Sequence, residues 1–351
     1  MQSFSETLLA WYDANGRDLP WRRTRDPYAI WLSEIILQQT RIAQGRAYWE
    51  RFLQAFPDVQ SLAAAEEDEV LRLWQGLGYY SRARNLLTAA RQIVAQGRFP
   101  DTLEEIRALK GVGDYTAAAI ASFAFGIPAA VVDGNVYRVL ARHRGIPTPV
   151  GSTAAKKEFT ALAQSLIPRD RPGDFNQAMM DFGATCCTPA APACLLCPLA
   201  RDCVALATGQ VNRLPVREKA TAVVERRFDY VYLRFAGRTA IRRRGPGDIW
   251  QGLWEPLVAD QGLQGKPNAG GGFPRNPLGR SAPNQRLQGG VRLIKKGVKH
   301  QLTHRTLIVD FYLWEPGTEP ALPEGYVWVE ETELDRYAKP RLFELLLESL
   351  P

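Results

Sequence analysis

Cys187-Thr188-Pro189-Ala190-Ala191-Pro192-Ala193-Cys194-Leu195-Leu196-Cys197-Pro198-Leu199-Ala200-Arg201-Asp202-Cys203 is the stretch on which the fold turns. Its cysteines fall at C-x6-C-x2-C-x5-C, and the chain holds one other, Cys186. A disulfide framework would scatter cysteines along a secreted chain. Four thiolates within seventeen residues instead suit one centre of tetrahedral preference. Zinc accepts the same ligands as an iron–sulfur cluster, so chemistry alone leaves the metal open. Cys186 reads as a small buried residue and not as a ligand.

Upstream of the cysteines, residues 1–208 read as helix after helix. Asp26-Pro27 is a start signal, with Asp at the cap and Pro at the first helical position. The helix it opens is expected over 28–56, with a break near Gly45. Ser61 opens another, and Thr102-Leu103-Glu104-Glu105 has capping-box spacing. Helices over 117–125, 136–142 and 153–167 complete a bundle. After Gly209 the texture changes. Residues 209–225 read as a linker, whereas 228–235, 307–314 and 326–329 carry the alternation of strands. Residues 260–290, crowded with Gly, Pro and Asn, read as a loop. The expected fold is a mainly α domain over 1–208 and a smaller α+β domain over 226–351.

The totals agree with this division, because 351 residues are many for one core. A formal charge of +7 favours an anionic partner, and a polyanion fits because each phosphate contact releases counterions. Charge alone is better explained by solubility. Arginines interleaved with aromatics in Tyr79-Tyr80-Ser81-Arg82-Ala83-Arg84 tilt the reading toward nucleic acid. No apolar run is long enough to span a membrane, and the first residues lack the basic and apolar regions of a secretory leader. A cytoplasmic, nucleoid-associated, monomeric protein is expected.

Two further elements carry chemistry. Lys110-Gly111-Val112-Gly113 makes a tight turn between two predicted helices, where free N–H groups at a helix start attract phosphate. By itself such a turn is most simply a helix cap. Glu34 lies in Ile30-Trp31-Leu32-Ser33-Glu34-Ile35-Ile36-Leu37, and its helical neighbours Ile30, Trp31, Leu37 and Gln38 include no cation. A poorly solvated carboxyl there would stay protonated and could donate a proton. Periodicity alone favours a plainer role, a glutamate paired with a distant arginine. Asp133 follows an apolar run and precedes Gly134-Asn135 and a helix, so it reads as an N-cap in a place that favours negative charge. One acid held neutral and one held charged would divide acid–base labour.

The cysteine spacing resembles the [4Fe–4S] loop of the endonuclease III superfamily of DNA glycosylases. Together with Arg17-Asp18-Leu19-Pro20-Trp21-Arg22, the 31–40 segment, Gly76-Leu77-Gly78-Tyr79-Tyr80-Ser81-Arg82 and Val132-Asp133-Gly134-Asn135, it resembles the adenine DNA glycosylases of that superfamily. The resemblance implies a [4Fe–4S] cluster on Cys187, Cys194, Cys197 and Cys203, away from the chemistry. It implies that Lys110, Gly111 and Gly113 belong to a helix-hairpin-helix that grips one DNA strand. Glu34 would protonate a flipped adenine, and Asp133 would stabilise an oxocarbenium-like sugar, as in a two-carboxylate glycosidase. Tyr115 and Asn135 would support them. Arg17, Leu19, Trp21, Arg22 and Leu77 would line a pocket reached by base flipping, with Gln39, Thr40 and Tyr79 at the opened stack. Relatives that also cut the strand place a lysine where Tyr115 stands, and a tyrosine cannot form a Schiff base. Base removal without an efficient lyase step is therefore expected.

The C-terminal half resembles the Nudix-like module that reads damaged guanine in this family, through Arg242-Arg243-Arg244 and Trp250-Gln251-Gly252-Leu253-Trp254-Glu255. A glutamate-rich hydrolase helix is absent from residues 256–300, so neither catalytic Mg2+ nor NAD is expected. Leu302-Thr303-His304 stands where many relatives have Phe-Ser-His. It keeps the hydroxyl and the imidazole and loses the aromatic ring. The expected substrate is double-stranded DNA with adenine opposite 8-oxoguanine or guanine. A thymine- or oxidised-pyrimidine-excising relative, and a non-catalytic iron–sulfur protein that binds DNA, are the alternatives.

Overall fold

A computed structural model describes residues 3–217, 224–260 and 290–351. The expected loop over 260–290 falls almost wholly outside the described residues, as do residues 218–223 of the expected linker. The chain divides into two compact units. One comprises Met1–Ala65 with Asn85–Lys219, and the other Glu66–Arg84 with Ala220–Pro351.

The first unit is helical. In chain order its elements are α1 (Phe4–Asn15), α2 (Pro27–Leu37), α3 (Ile42–Ala55) and α4 (Val59–Ala64). After α5 (Glu67–Trp74), which belongs to the second unit, come α6 (Ser81–Gln96), α7 (Leu103–Ala108), α8 (Asp114–Phe125) and α9 (Gly134–Arg144). The series closes with α10 (Thr153–Leu166), α11 (Pro172–Thr185) and α12 (Val204–Ala207). Start signals act where the sequence puts them: Asp26 caps α2 by accepting from the Tyr28 and Ala29 amides, with Pro27 first in the helix. Thr102 caps α7 through the Glu105 amide, but the Glu105 carboxylate bonds Arg98 and leaves the box open.

Two boundaries differ from expectation. The break in the long 28–56 segment falls at 38–41, where Gln39 takes a φ of 56°, and not at Gly45. Gly45 lies inside α3, where a Cβ would stand 2.6 Å from the Leu37 Cδ2, so the glycine lets α3 close on the end of α2. The helix attributed to Ser61 starts at Val59, because the Asp58 carboxylate accepts from the Ser61 amide at 2.7 Å and caps it first.

α2 is buried along Tyr28–Ile36, and α8 is buried along Thr116–Phe123. The four buried alanines of α8 (117, 118, 119 and 121) leave room for α2 to pack closely, as interaxial distance follows the contact side chains. A second cluster joins Leu8 of α1, Val136, Val139 and Leu140 of α9, Phe159 of α10 and Phe175 and Phe182 of α11. Each such side chain contributes about 1.5–3 kcal/mol by leaving water. These two cores fix α2, α8, α9 and α11, the helices that bear the candidate site.

The second unit carries β1 (Val224–Phe235), β2 (Arg238–Arg243), β3 (Trp254–Glu255), β4 (Leu257–Asp260), β5 (Val291–Gln301), β6 (Arg305–Trp314) and β7 (Tyr326–Glu330), then α13 (Arg341–Leu347). The sheet order is β3-β2-β1-β6-β5, with β4 on β1 and β7 on β2. β1 runs parallel to β6, from Val224 opposite Arg305 to Leu233 opposite Trp314, and every other pairing is antiparallel. The alternation in β1 serves two cores. Phe228, Tyr230 and Tyr232 face Leu307, Val309 and Phe311 of β6 and Leu342, Phe343 and Leu346 of α13, while Val231 and Leu233 join Ala240, Leu257 and Tyr326. Among the described residues, no helix is long and apolar enough to cross a membrane.

Candidate active site

Glu34 sits midway along α2 with 7 % of its surface exposed. Burial raises its carboxyl to about 7, against the opposing effects of a hydrogen bond from Tyr115 and the charge of Arg22, while the charge of Asp133 adds to the rise. Removal from water penalises the ionised form. The helix face has no cation of its own; the cation arrives from the turn Pro20–Arg22.

Arg22 does not pair with Glu34. Its Nη1 donates to Asp181 Oδ2 at 2.7 Å and to the Arg17 carbonyl at 3.0 Å, and its Nη2 donates to Asp181 Oδ1 at 2.8 Å. Arg17 joins the same carboxylate through its backbone N–H at 2.9 Å and its Nε at 2.8 Å. Asp181, on α11, has no exposed surface. Burial opposes its charge, but the bonds from Arg22 and Arg17 hold its carboxyl below the ordinary value.

Tyr115, in the first turn of α8, donates its hydroxyl to the Met180 Sδ at 3.5 Å and stands close enough to the Glu34 carboxyl to oppose its rise. Burial lifts the Tyr115 phenol well above its ordinary value, which keeps it a donor. Asp133 caps α9 as expected, its Oδ1 accepting from the Asn135 and Val136 amides at 2.9 and 2.8 Å. Asn135 Nδ2 donates to Oδ2 at 2.7 Å. The Asn135 Oδ1 in turn accepts from Arg138 Nη2 at 2.8 Å, and Arg138 Nε reaches the Cys187 carbonyl at 2.7 Å.

Arg17, Leu19, Trp21 and Arg22 line one cavity of about 380 Å³, together with Tyr12 and Gln177, whose side chains bond at 2.6 Å. Glu34 and Asp133 are not on its wall. At the 38–41 break Gln39 is exposed and Thr40 half-buried. In the hairpin turn Gly111 has a φ of 79°, and a Cβ there would meet Asn85 at 2.7 Å. Gly113 caps α8 in an extended conformation with open space beside it, and Lys110 is exposed.

Cys194 and Cys203 border short 3-10 turns, Cys194–Leu196 and Ala200–Asp202, and Cys187, Cys197 and Cys203 pack against the α9–α11 core. Cys186 is buried beside them. Arg142 holds the loop: Nη1 donates to the Cys187 Sγ at 3.4 Å and the Thr188 carbonyl at 2.7 Å, and Nη2 to the Pro189 carbonyl at 3.0 Å. Among the described residues no three His, Cys, Asp or Glu side chains are grouped closely enough to hold a metal ion. In chemistry the donor set fits a thiolate-ligated centre, since four half-buried thiols share one loop and a buried guanidinium faces the first of them.

In the second unit Leu77 is buried and Tyr79 is 46 % exposed. Arg82 donates to the Leu77 and Gly78 carbonyls, each at 3.1 Å, and lies over the rings of Trp74 and Tyr79. Thr303 and His304 are exposed in the turn between β5 and β6, and Leu302 is half-buried against the core. The hydroxyls of Tyr79 and Thr303 are hydrogen-bonded to each other. Of the Nudix-like segment, Arg242 and Arg244 both bond the buried Glu255, so these charges brace the sheet.

Sequence reasoning missed Asp181, Arg138 and Arg142. An acid embedded in Met179-Met180-Asp181-Phe182, on the buried side of an amphipathic helix, is the signal that pointed to the first. The arginines sit three and seven residues from Asn135 and carry no separate signal, since their carbonyl acceptors come from remote loops.

Helices joined by a two-glycine hairpin, a buried acid on α2, a capping acid at the start of α9 and a four-cysteine loop point to the helix-hairpin-helix class of base excision proteins. The family model of HhH-GPD superfamily base excision DNA repair proteins matches residues 32–169, and that of NUDIX domains matches 230–349. The adenine DNA glycosylase of Buchnera aphidicola subsp. Schizaphis graminum is 35 % identical over 254 residues, 72 % of this chain and 73 % of that one. The chain belongs to the adenine DNA glycosylase family. The human adenine DNA glycosylase is 49 % identical over 212 residues, 57 % of this chain and 39 % of its own, and the match to the Arabidopsis thaliana protein covers 46 % of that protein. The match thus spans less than half the length of the human and Arabidopsis relatives. Among solved structures, a thermostable thymine-DNA glycosylase aligns with a TM-score of 0.54 at 32 % identity, over 58 % of this chain and 95 % of that one. An endonuclease III in a non-covalent DNA complex aligns at 0.50 and 22 % identity, a likeness of fold, over 58 % of this chain and 94 % of that one.

Proposed function

We propose that this chain is a monofunctional adenine DNA glycosylase acting as a monomer on double-stranded DNA with adenine opposite 8-oxoguanine or guanine. The observation that carries this is the buried Glu34 carboxyl, raised to about 7 beside an Asp133 carboxylate that caps a helix. In this reading the helical part, 1–208, flips and excises the base, 209–225 links, and 226–351 reads the opposite guanine. Lys110, Gly111 and Gly113 hold one strand's phosphates. Gln39, Thr40, Leu77 and Tyr79 meet the opened stack, and Leu302, Thr303 and His304 contact the lesion.

Glu34 gives its proton to the adenine, which takes the electron pair of the breaking bond to the sugar and leaves neutral. Asp133 offsets the positive charge on the sugar ring. A water adds its hydroxide to the sugar carbon and returns its proton to Glu34. Tyr115 and Asn135 hold the two acids, and Arg17, Leu19, Trp21 and Arg22 enclose the base. Cys187, Cys194, Cys197 and Cys203 would hold a [4Fe–4S] cluster, which supplies a rigid cross-link to the loop when bound. No NAD or catalytic Mg2+ enters.

The test is single-turnover release of adenine from a duplex with adenine opposite 8-oxoguanine, with strands resolved before and after alkali. Adenine release, with breaks appearing after alkali, is the expected result, and Glu34→Gln should abolish it. Release of thymine or an oxidised pyrimidine instead would overturn the substrate, and DNA binding with no release would overturn the activity.

A further inference from the structure

Asp181 stands out among the buried groups that the reaction leaves unused. It belongs to α11, has no exposed surface, and collects donors from two arginines of one short segment: Arg17 N and Nε at 2.9 and 2.8 Å, and Arg22 Nη1 and Nη2 at 2.7 and 2.8 Å. The Arg22 guanidinium is thereby committed on both terminal nitrogens. It still lies near enough for its charge to act on Glu34.

Arginine and a carboxylate form a two-pronged pair whenever geometry allows. A buried Glu34 with a mobile arginine beside it would make such a pair and become a stable anion, unable to donate a proton. We propose that Asp181 is a positioning residue: by engaging Arg22 on both terminal nitrogens it holds that arginine short of an ion pair with Glu34. It thereby preserves a protonated acid next to a cationic pocket wall. The groups whose charge or hydrogen bonding acts on Glu34 are Tyr115, Arg22 and Asp133, and of these Arg22 is the one whose geometry Asp181 sets.

The proposal rests on Glu34 as the proton donor, so the test needs a readout independent of turnover. The Glu34 carboxyl would be titrated by carbon-13 resonance in glutamate-labelled protein, the signal being assigned by its loss in Glu34→Gln. In parallel, single-turnover adenine release would be followed from pH 5 to 9. Asp181→Asn keeps the volume but removes the charge that holds two guanidinium groups.

In that variant the Glu34 titration and the high-pH limb of the rate should both move down by about one pH unit or more, the usual effect of an arginine newly paired with a carboxylate. That is about a tenfold loss of rate above the limb, with the rate recovering at low pH. Asp181→Glu should leave the titration close to that of the parent, and Arg22→Gln alone should move the Glu34 titration upward. A rate reduced equally at every pH, with the titration in place, would overturn the proposal and leave Asp181 a structural anchor. Should Asp181→Asn fail to fold, an unmoved titration in Arg22→Gln would overturn it too. A shifted titration in a protein that releases no adenine would uphold the positioning role and sink the glycosylase reading.

Discussion

Asn135 is bonded to Asp133 through both its backbone and its side chain: the amide N–H serves Oδ1 at 2.9 Å and Nδ2 serves Oδ2 at 2.7 Å. Two residues apart in sequence, they lock the carboxylate in one orientation at the start of α9. Asn135→Ala removes a hydrogen bond to a charged group, worth about 1.5–3 kcal/mol. If that bond matters in the transition state, single-turnover release should slow roughly ten- to a hundredfold. An unchanged rate would mean the helix cap alone orients Asp133.

Asp133 has two separable jobs. Asp133→Asn keeps an oxygen for the α9 amides but turns an amide nitrogen toward the Asn135 Nδ2, so adenine release should be lost and thermal stability should fall by the loss of that one charged bond. Asp133→Ala loses the cap too, at about 1 kcal/mol. Denaturant melts of the two variants decide this, and equal stabilities would refute the capping role.

Glu34 links activity to stability with opposite signs. Its folded value, about 7, lies above the ordinary 4.5. The neutral native form is therefore favoured at low pH, and stability is lost as pH rises from 4.5 through 7. A shift of that size corresponds to about 3 kcal/mol as an upper bound. Glu34→Gln should be inactive yet more stable than the parent at pH 8 by about 1–3 kcal/mol, and the difference should vanish near pH 4. A variant no more stable at pH 8 would refute the raised value.

Arg142 binds the cysteine loop and, through Nε, the Val211 and Leu214 carbonyls at 3.0 Å. Arg142→Met leaves these buried acceptors unmet, at about 1–3 kcal/mol each where water cannot reach them. Lower thermal stability is expected and, with the proposed cluster on the loop, loss of its absorbance on purification. Normal iron content would show that the loop does not depend on this anchor.

Tyr79 and Thr303 meet through their hydroxyls although far apart in the chain. A double-mutant cycle with Tyr79→Phe and Thr303→Val should give a coupling of about 0.5–1.5 kcal/mol in stability. Run on rates, the same cycle checks the proposed reading of the lesion, since both variants should then slow release opposite 8-oxoguanine more than opposite guanine. Additive effects would separate the two residues.

Much of this molecule is written locally. Asp26-Pro27, Thr102, the apolar run of α2, the alternation in 228–235 and the hairpin glycines act through neighbours within a few residues, so the chain announces them. The same holds for Asp133, whose capping partners are Asn135 and Val136, and for the cysteine spacing. The break at 38–41 escaped because a non-glycine residue, Gln39, takes a left-handed conformation there, which no propensity signals.

Tertiary structure alone decided what surrounds Glu34. Periodicity shows which residues share its helix face, but not that Arg22 approaches from a preceding turn or that Tyr115 arrives from α8. Nor does it show that Asp181, 159 positions beyond Arg22, captures that arginine first. The sum of burial and charge at one carboxyl depends on groups brought together only by packing. The chain therefore singles out Glu34 and Asp133, whereas Asp181 and the raised Glu34 carboxyl follow from the fold.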